Sequence, residues 1–342
     1  MFAPLHTARL IIRAFGLEDA APLAERRNDS LVARYQNWVL PYPRQRAEDL
    51  VAQIVAAGEP ANDQWWMAAV CDRESGETLG DLALRLSWGG RSAEVGYTLA
   101  SRRWGRGYAT EALEALLAWL FAERGITRAC GTLHPDNTAS ARVLERCGFL
   151  FEGRTRLSYW VGDDCSDDAT YGLTRQDWEA WSRRPRQAPS VVALVEVSAA
   201  NQAPVLGLLT HKTQEAFVPP AALCCADALF PPEVDGRPSI PWLRAITADG
   251  EIAGLVMLAR GAERHPEPIL WRLLVDRLHQ RRGIGTRVLH LVAADCRERG
   301  ETSLLTRWAD GPGSPRGFFT GRGFSVIGAT PDGLASARLR LR

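Results

Sequence analysis

"SRRWGRGYATEAL" (residues 101–113) sets two glycines and three arginines where a strand-like run gives way to an amphipathic helix. Upstream lies "AEVGYTL" (93–99), with the β-branched and aromatic residues typical of strands. Downstream, Ala109, Leu113, Leu116, Leu117, Leu120 and Phe121 recur at helical spacing. A second joint repeats the pattern. "ILWRLLVD" (269–276) leads into "HQRRGIGTRVLHL" (279–291), where Val288, Leu289, Val292, Ala293 and Cys296 share one helical face.

A helix N-terminus presents amides that lack intrahelical partners, together with the positive end of the helix dipole. Glycines just before it let an anion approach the backbone, so both joints are candidate pyrophosphate cradles. Arg102, Arg103 and Arg106 add charge to the first. Spacing excludes two other phosphate sites. A dinucleotide fingerprint needs a third glycine where this chain has Thr110 and Val288, and a Walker loop needs GxxxxGK[ST], whereas Lys212 is the only lysine.

Three landmarks recur in both halves. Gly80 in "ETLGDLAL" matches Gly254 in "EIAGLVML", Gly105 and Gly107 match Gly283 and Gly285, and Gly148-Phe149 matches Gly323-Phe324. Steps of 27 and 41 residues in the first half correspond to 31 and 38 in the second, the signature of a duplicated domain. "RACGTLHP" (128–135) and "SLLTRWAD" (303–310) read as further strands, and "NTASARVLERCGF" (137–149) as a helix ended by Gly148. The prediction is a mixed-sheet α/β protein with domains at 1–182 and 191–342, joined by a linker, "RRPRQAPS" (183–190).

Composition narrows the partners. The chain has 41 basic and 40 acidic residues, which argues against a nucleic-acid partner. The first 182 residues carry 20 basic and 25 acidic residues; the remainder carry 21 and 15. No run approaches the ~20 apolar residues that cross a bilayer, and the N-terminus lacks a signal-peptide core, so a cytosolic protein without a membrane partner is expected. Seven cysteines without CxxC or zinc spacing predict reduced, mostly buried thiols and no metal.

"AEVGYTLASRRWGRGYATEALEALLAWLF" (93–121) followed by "HPDNTASARVLERCGF" (134–149) resembles the GNAT superfamily of acyl-CoA N-acyltransferases, in the branch of ribosomal-protein alanine and serine acetyltransferases. "TARLIIRAF" (7–15) and "DATYGLTRQDW" (168–178) resemble that branch's first and last strands. The second half is similar to the spermine/spermidine acetyltransferase branch, through "THKTQEAFVPP" (210–220), "GEIAGLVML" (250–258) and "LWRLLVDRLHQRRGIGTRVL" (270–289). The resemblance implies two tandem GNAT domains. It implies acetyl-CoA as co-substrate, its pyrophosphate held on the amides of Arg103, Trp104, Gly105, Arg106, Gly107, Tyr108 and Ala109, beside Arg102. Tyr97, Thr98 and Leu99 would polarise the thioester carbonyl, and Asn137 would contact the pantetheine or acetyl arm. In the second half the corresponding residues are Leu274, Val275, Gln280, Arg281, Arg282, Gly283, Ile284, Gly285 and Thr286. Its second motif is degenerate: Pro312 and Phe319 stand where that branch has an Asn and, seven residues on, a Tyr.

Direct acetyl transfer needs a base for the amine, donors for the developing oxyanion and a proton for the thiolate. Glu94 is the candidate base, on the strand where this family often keeps a carboxylate. The family's usual tyrosine position falls on Leu144, and the resemblance implies Ser140, that branch's alternative, as the candidate acid. His134 could lie near the site, "GDDCSDD" (162–168) should form the loop between the last two strands, and Trp38, Tyr42, Trp65 and Trp66 are candidate acceptor-side aromatics. In the second half, Asp276 and Glu215 are the nearest counterparts of a base. The acceptor implied is an amine: a peptide or protein N-terminus, a polyamine-like amine, or an antibiotic or metabolite amine. The alternative is a sensor or scaffold that binds acyl-CoA without transfer in one or both domains.

Overall fold

A computed structural model describes residues 2–341 apart from 232, 235–236 and 261–266. The chain divides into two compact units, Met1–Ser182 and Arg183–Arg342. In the first, β1 (Leu5–His6), β2 (Leu10–Ala14), β3 (Trp65–Asp72), β4 (Thr78–Ser87), β5 (Ser92–Leu99), β6 (Arg128–Leu133), β7 (Leu150–Val161) and β8 (Asp164–Thr174) form one sheet. Their order is β1-β2-β3-β4-β5-β6-β8-β7. Every neighbouring pair is antiparallel except β5 and β6. Around the sheet lie α1 (Ala20–Asn28), α2 (Ser30–Ala33), α3 (Arg44–Ala57), α4 (Tyr108–Ala118), α5 (Thr138–Arg146) and α6 (Arg175–Arg183).

The helical spacing marks the face buried by α4 and by the π-helical turn that follows it, Trp119–Glu123: Leu113, Leu116, Leu117, Leu120 and Phe121 join the sheet's Leu82, Leu84, Ala93 and Val95 in a single core. Beneath the sheet's middle, the buried Arg26 of α1 makes an ion pair with the equally buried Asp81 of β4.

The second unit repeats this plan. Its sheet contains β9 (Val192–Glu196), β12 (Ile240–Ala248), β13 (Glu251–Arg260), β14 (Ile269–Val275), β15 (Ser303–Trp308), β16 (Ser325–Ala329) and β17 (Ala335–Arg340), while β10 (Glu233–Val234) and β11 (Arg237–Pro238) form a separate ribbon. From β9 the order runs β9-β12-β13-β14-β15-β17-β16, with β14 and β15 the parallel pair. Its helices are α7 (Gln202–Leu206), α8 (Ala221–Asp227), α9 (Ile284–Glu298) and α10 (Arg316–Thr320). The repeated strand glycines have a common cause. A Cβ on Gly80 would lie 2.2 Å from the Thr98 carbonyl oxygen, and one on Gly254 would lie 2.2 Å from that of Leu274. Each lets the neighbouring strand of the parallel pair come close.

Two expectations are corrected. "GDDCSDD" is mostly strand: a two-residue turn at Gly162 and Asp163 joins β7 to β8, which already begins at Asp164. The glycine loops align differently from the pairing of Gly105 with Gly283. In the first unit the positive-φ residues are Gly105 (74°) and Gly107 (81°); in the second they are Arg281 (64°) and Gly283 (79°). The helices start immediately after Gly107 and Gly283, so these two are equivalent, Trp104 answers to Gln280, and Ala109 answers to Gly285.

Candidate active site

Parallel strands β5 and β6 pair only at Ser92, Ala93 and Glu94 with Arg128, Ala129 and Cys130. Past Glu94 they part, which leaves the edge of Val95–Leu99 without a strand partner and opens the sheet at its middle. The opening belongs to a cleft of about 1640 Å³ lined by Glu94, Tyr97, Thr98 and His134, with Trp38, Tyr42 and Trp65 on its walls. Trp66 is not among them; it is buried against Phe2. Asp163, Asp164 and Asp168 also line the cleft, whereas Asp167 turns away to an ion pair with Arg154.

Glu94 faces Arg85 across the β4–β5 ladder and accepts a hydrogen bond from its Nη2 at 2.5 Å. Tyr97 donates its hydroxyl to the Ser140 carbonyl at 2.7 Å, and the Ser140 hydroxyl donates to the Tyr97 oxygen at 3.0 Å. Burial pushes the Tyr97 phenol well above its ordinary value despite the opposing Ser140 hydrogen bond, so the ring stays neutral. Asn137 is the N-cap of α5, its Oδ1 accepting from the Ser140 amide at 3.1 Å. The buried Leu144 fills the space beside Gly131. His134 stacks on Tyr35, and its Nδ1 accepts from the Asp136 amide at 3.2 Å, which puts the proton of the neutral ring on Nε2.

At the end of β5, the amides of Gly105 to Thr110 find no acceptor among the described residues. Six consecutive donors around a helix N-terminus make an anion nest. A Cβ on Gly105 would meet nothing within 4 Å, so no protein atom fills that side of the loop. The loop is anchored by the Trp104 indole, which donates to the Leu99 carbonyl at 2.9 Å. The expected basic trio is divided. Arg102 pairs with Glu25 and Glu77, and Arg103 also with Glu77, so their charges are largely spent on carboxylates. Arg106 has no carboxylate partner among the described residues, and its carbonyl accepts from Arg9 at 3.0 Å.

Arg9 escaped sequence reading because it sits in a turn about a hundred residues upstream. Its guanidinium lies over Tyr108 and would be 3.5 Å from a Cβ on Gly107, while its Nε donates to Glu111 at 2.7 Å. Burial opposes ionisation of Glu111, but hydrogen bonds from Thr7 and Arg9 and the Arg9 charge hold its carboxyl below its ordinary value. The only early signal was an Asp/Glu in the helix's first turn.

In the second unit β14 and β15 pair only at Ile269 and Leu270, and a smaller cleft of about 690 Å³ follows the free part of β14. Leu274, Val275, Gln280, Arg281, Gly283, Ile284, Gly285 and Thr286 line it. Gln280 donates to the Val275 carbonyl at 3.0 Å, the counterpart of the Trp104 bond, and exchanges hydrogen bonds with Gln214. Arg282 is not at the cleft. It is buried, donating to the Gln187 carbonyl at 2.8 Å and contacting His279 Nδ1 at 2.8 Å. Asp276 is occupied by the Leu209 and Leu278 amides, both at 2.8 Å, and Glu215 by Lys212. Phe318 presses on the face of Gly285, and Arg322 donates to Thr286 at 2.7 Å. Among the described residues no group of three or more His, Cys, Asp or Glu could hold a metal ion, and no helix is long and apolar enough to cross a membrane.

The profile of the acetyltransferase (GNAT) domain matches residues 9–150, and that of the acetyltransferase (GNAT) family matches residues 209–324. The uncharacterized N-acetyltransferase p20 of Bacillus licheniformis is 31% identical over 157 residues, 44% of this chain and 85% of that protein. The uncharacterized N-acetyltransferase YnaD of Bacillus subtilis is 27% identical over 172 residues, 50% of this chain and 97% of the relative. A solved acetyltransferase (GNAT family) from Bacillus anthracis has 24% identity and a TM-score of 0.47, over 51% of this chain and 99% of its own. With one match in each unit, the chain belongs to the GNAT acetyltransferases and carries two such domains in tandem.

Proposed function

We propose that residues 1–182 transfer acetyl from acetyl-CoA directly to an amine. The observation that carries this is the run of unsatisfied amides from Gly105 to Thr110 at the end of a strand whose other edge has just come free beside Glu94. The co-substrate supplies an activated thioester. The nest, with Arg9 and Arg106 adding charge, suits its pyrophosphate, and the free edge of Val95–Leu99 suits the pantetheine arm and thioester carbonyl. Glu94 accepts the proton of the attacking amine. As the carbon–nitrogen bond forms and the carbon–sulfur bond breaks, the Ser140 hydroxyl turns from the Tyr97 oxygen to protonate the leaving thiolate, and the proton taken by Glu94 returns through water to Ser140, so that the amine's proton ends on the thiol.

The test is thiol release from acetyl-CoA with a panel of amines, alongside calorimetry of CoA binding. Amine-stimulated release with stoichiometric acetylated product is expected. Tight CoA binding with no stimulation by any amine would leave only a binding role.

For residues 191–342 the reading differs: this unit holds acyl-CoA without transferring from it. Among the described residues its cleft is lined by no Asp or Glu, Asp276 and Glu215 are committed elsewhere, and Pro312 and Phe319 replace the polar pair. Product formation by full-length Gly107→Val, in which the first unit's cradle is blocked, tests this. Loss of one CoA site with undiminished product would assign chemistry to the second unit.

A further inference from the structure

The large cleft of the first unit is electrically two-ended. Asp163, Asp164 and Asp168 reach it from the β7–β8 hairpin, and Glu94 from β5. From the α1–α3 side come Arg27, Arg34 and Arg46, none of which has a carboxylate partner among the described residues. Most other arginines around the site do have one: Arg26 pairs with Asp81, Arg85 with Glu94, and Arg102 and Arg103 with Glu77.

The three unpaired guanidinium groups are mounted on aromatic faces. Arg27 lies 4.5 Å from the ring centroid of Trp38 and 5.0 Å from that of Tyr42, and donates to the Tyr42 hydroxyl at 2.8 Å. Arg46 lies 5.2 Å from the same Tyr42 centroid, and Arg34 lies 5.2 Å from that of Tyr35. Trp38 and Tyr42 are themselves buried, so the platform is rigid. Two like charges against one ring repel each other across a cleft wall. Cation–π contact offsets that only in part, whereas an anion between them would satisfy both. Arginine's planar fork suits carboxylate and phosphate. Asp49 of α3 lines the cleft on the same side, makes no ion pair with the three arginines, and accepts a hydrogen bond from Gln45.

We propose that the acceptor of the first unit is a low-molecular-weight amine that also carries a carboxylate or phosphate, the anionic group seated among Arg27, Arg34 and Arg46 and the amine at Glu94. This rests on the transferase reading of the same cleft and narrows its substrate class. The acidic hairpin attracts the ammonium end and the arginine wall the anionic end, so the cleft orients the molecule as well as binding it. A purely cationic polyamine would leave the arginine wall unpaired and place charge against it.

The test uses the full-length protein, acetyl-CoA and matched amines: β-alanine against β-alaninamide, phosphoethanolamine against ethanolamine, and spermidine. At least one anionic member should exceed its neutral partner by 10-fold or more in kcat/KM, chiefly through KM, and the pair that does so identifies carboxylate or phosphate. Arg34→Gln and Arg46→Gln should bring that ratio toward one, with Arg46→Lys retaining part of it; thermal melting verifies that each variant is folded. Equal or better turnover of the neutral amines or spermidine overturns the proposal while the transferase reading stands. If no amine yields acetylated product, the transferase reading fails and takes this one with it.

Discussion

Tyr97 and Ser140 are joined twice: the phenol donates to the serine's carbonyl, and the serine's hydroxyl donates to the phenol oxygen. The pair ties β5 to the first turn of α5 and fixes where the Ser140 hydroxyl lies. Ser140→Ala should lower kcat by about 10²-fold, the scale of a lost general acid, with CoA affinity within about twofold. Tyr97→Phe misplaces that hydroxyl without deleting it and should cost less. Steady-state thiol release ranks the two, and a larger loss in Tyr97→Phe would make the phenol the donor.

Glu94→Gln keeps the shape of the side chain and removes its basicity. With an amine acceptor at neutral pH, kcat/KM should fall by about 10²-fold while calorimetry gives an unchanged CoA dissociation constant. Full activity in this variant would remove Glu94 from the reaction and send the search to the aspartates of the hairpin.

Gly107 and Gly283 hold equivalent left-handed positions ahead of α4 and α9. A β-branched residue is strained there and puts methyl groups beside the unsatisfied amides. In full-length protein, Gly107→Val and Gly283→Val should each abolish one class of CoA site in a calorimetric titration. Unchanged stoichiometry in Gly107→Val would break the link between this loop and the pyrophosphate.

Gly80→Ala should destabilise the first unit by about 1–3 kcal/mol, the usual range for overpacking, because its new methyl would meet the Thr98 carbonyl. Gly254→Ala should do the same to the second through Leu274. Denaturant midpoints measure both.

Burial, aided by the Arg282 guanidinium, holds His279 below its ordinary value against the opposing pull of Asp276 and Glu251. A histidine with a depressed folded value contributes stability that is fully present above about pH 6.5 and is lost as pH falls through the folded value. His279→Gln should flatten the decline in denaturation midpoint on acidification; parallel curves for the two proteins would show that the ring does not govern it.

The elements around both joints were legible because strand alternation, glycine turns and helical spacing agree locally over Ala93–Phe121 and Ile269–Cys296. The strand glycines were legible as landmarks, although their cause, a carbonyl 2.2 Å away, belongs to the neighbouring strand. What escaped depends on distant partners. Arg102 and Arg103 looked like phosphate ligands until Glu77 was brought beside them, and Arg9 entered the loop from the first strands. The loop register is not legible in the sequence because Gly105 mimics the motif's first glycine while Trp104 occupies the place of Gln280.

That substitution has its own consequence. An indole and a primary amide share almost no chemistry beyond one N–H, yet each returns that hydrogen to the carbonyl five residues earlier. What the two copies inherited in common is therefore a bond rather than a letter, and relatives whose loops open on tryptophan are invisible to any pattern that demands glutamine or arginine there.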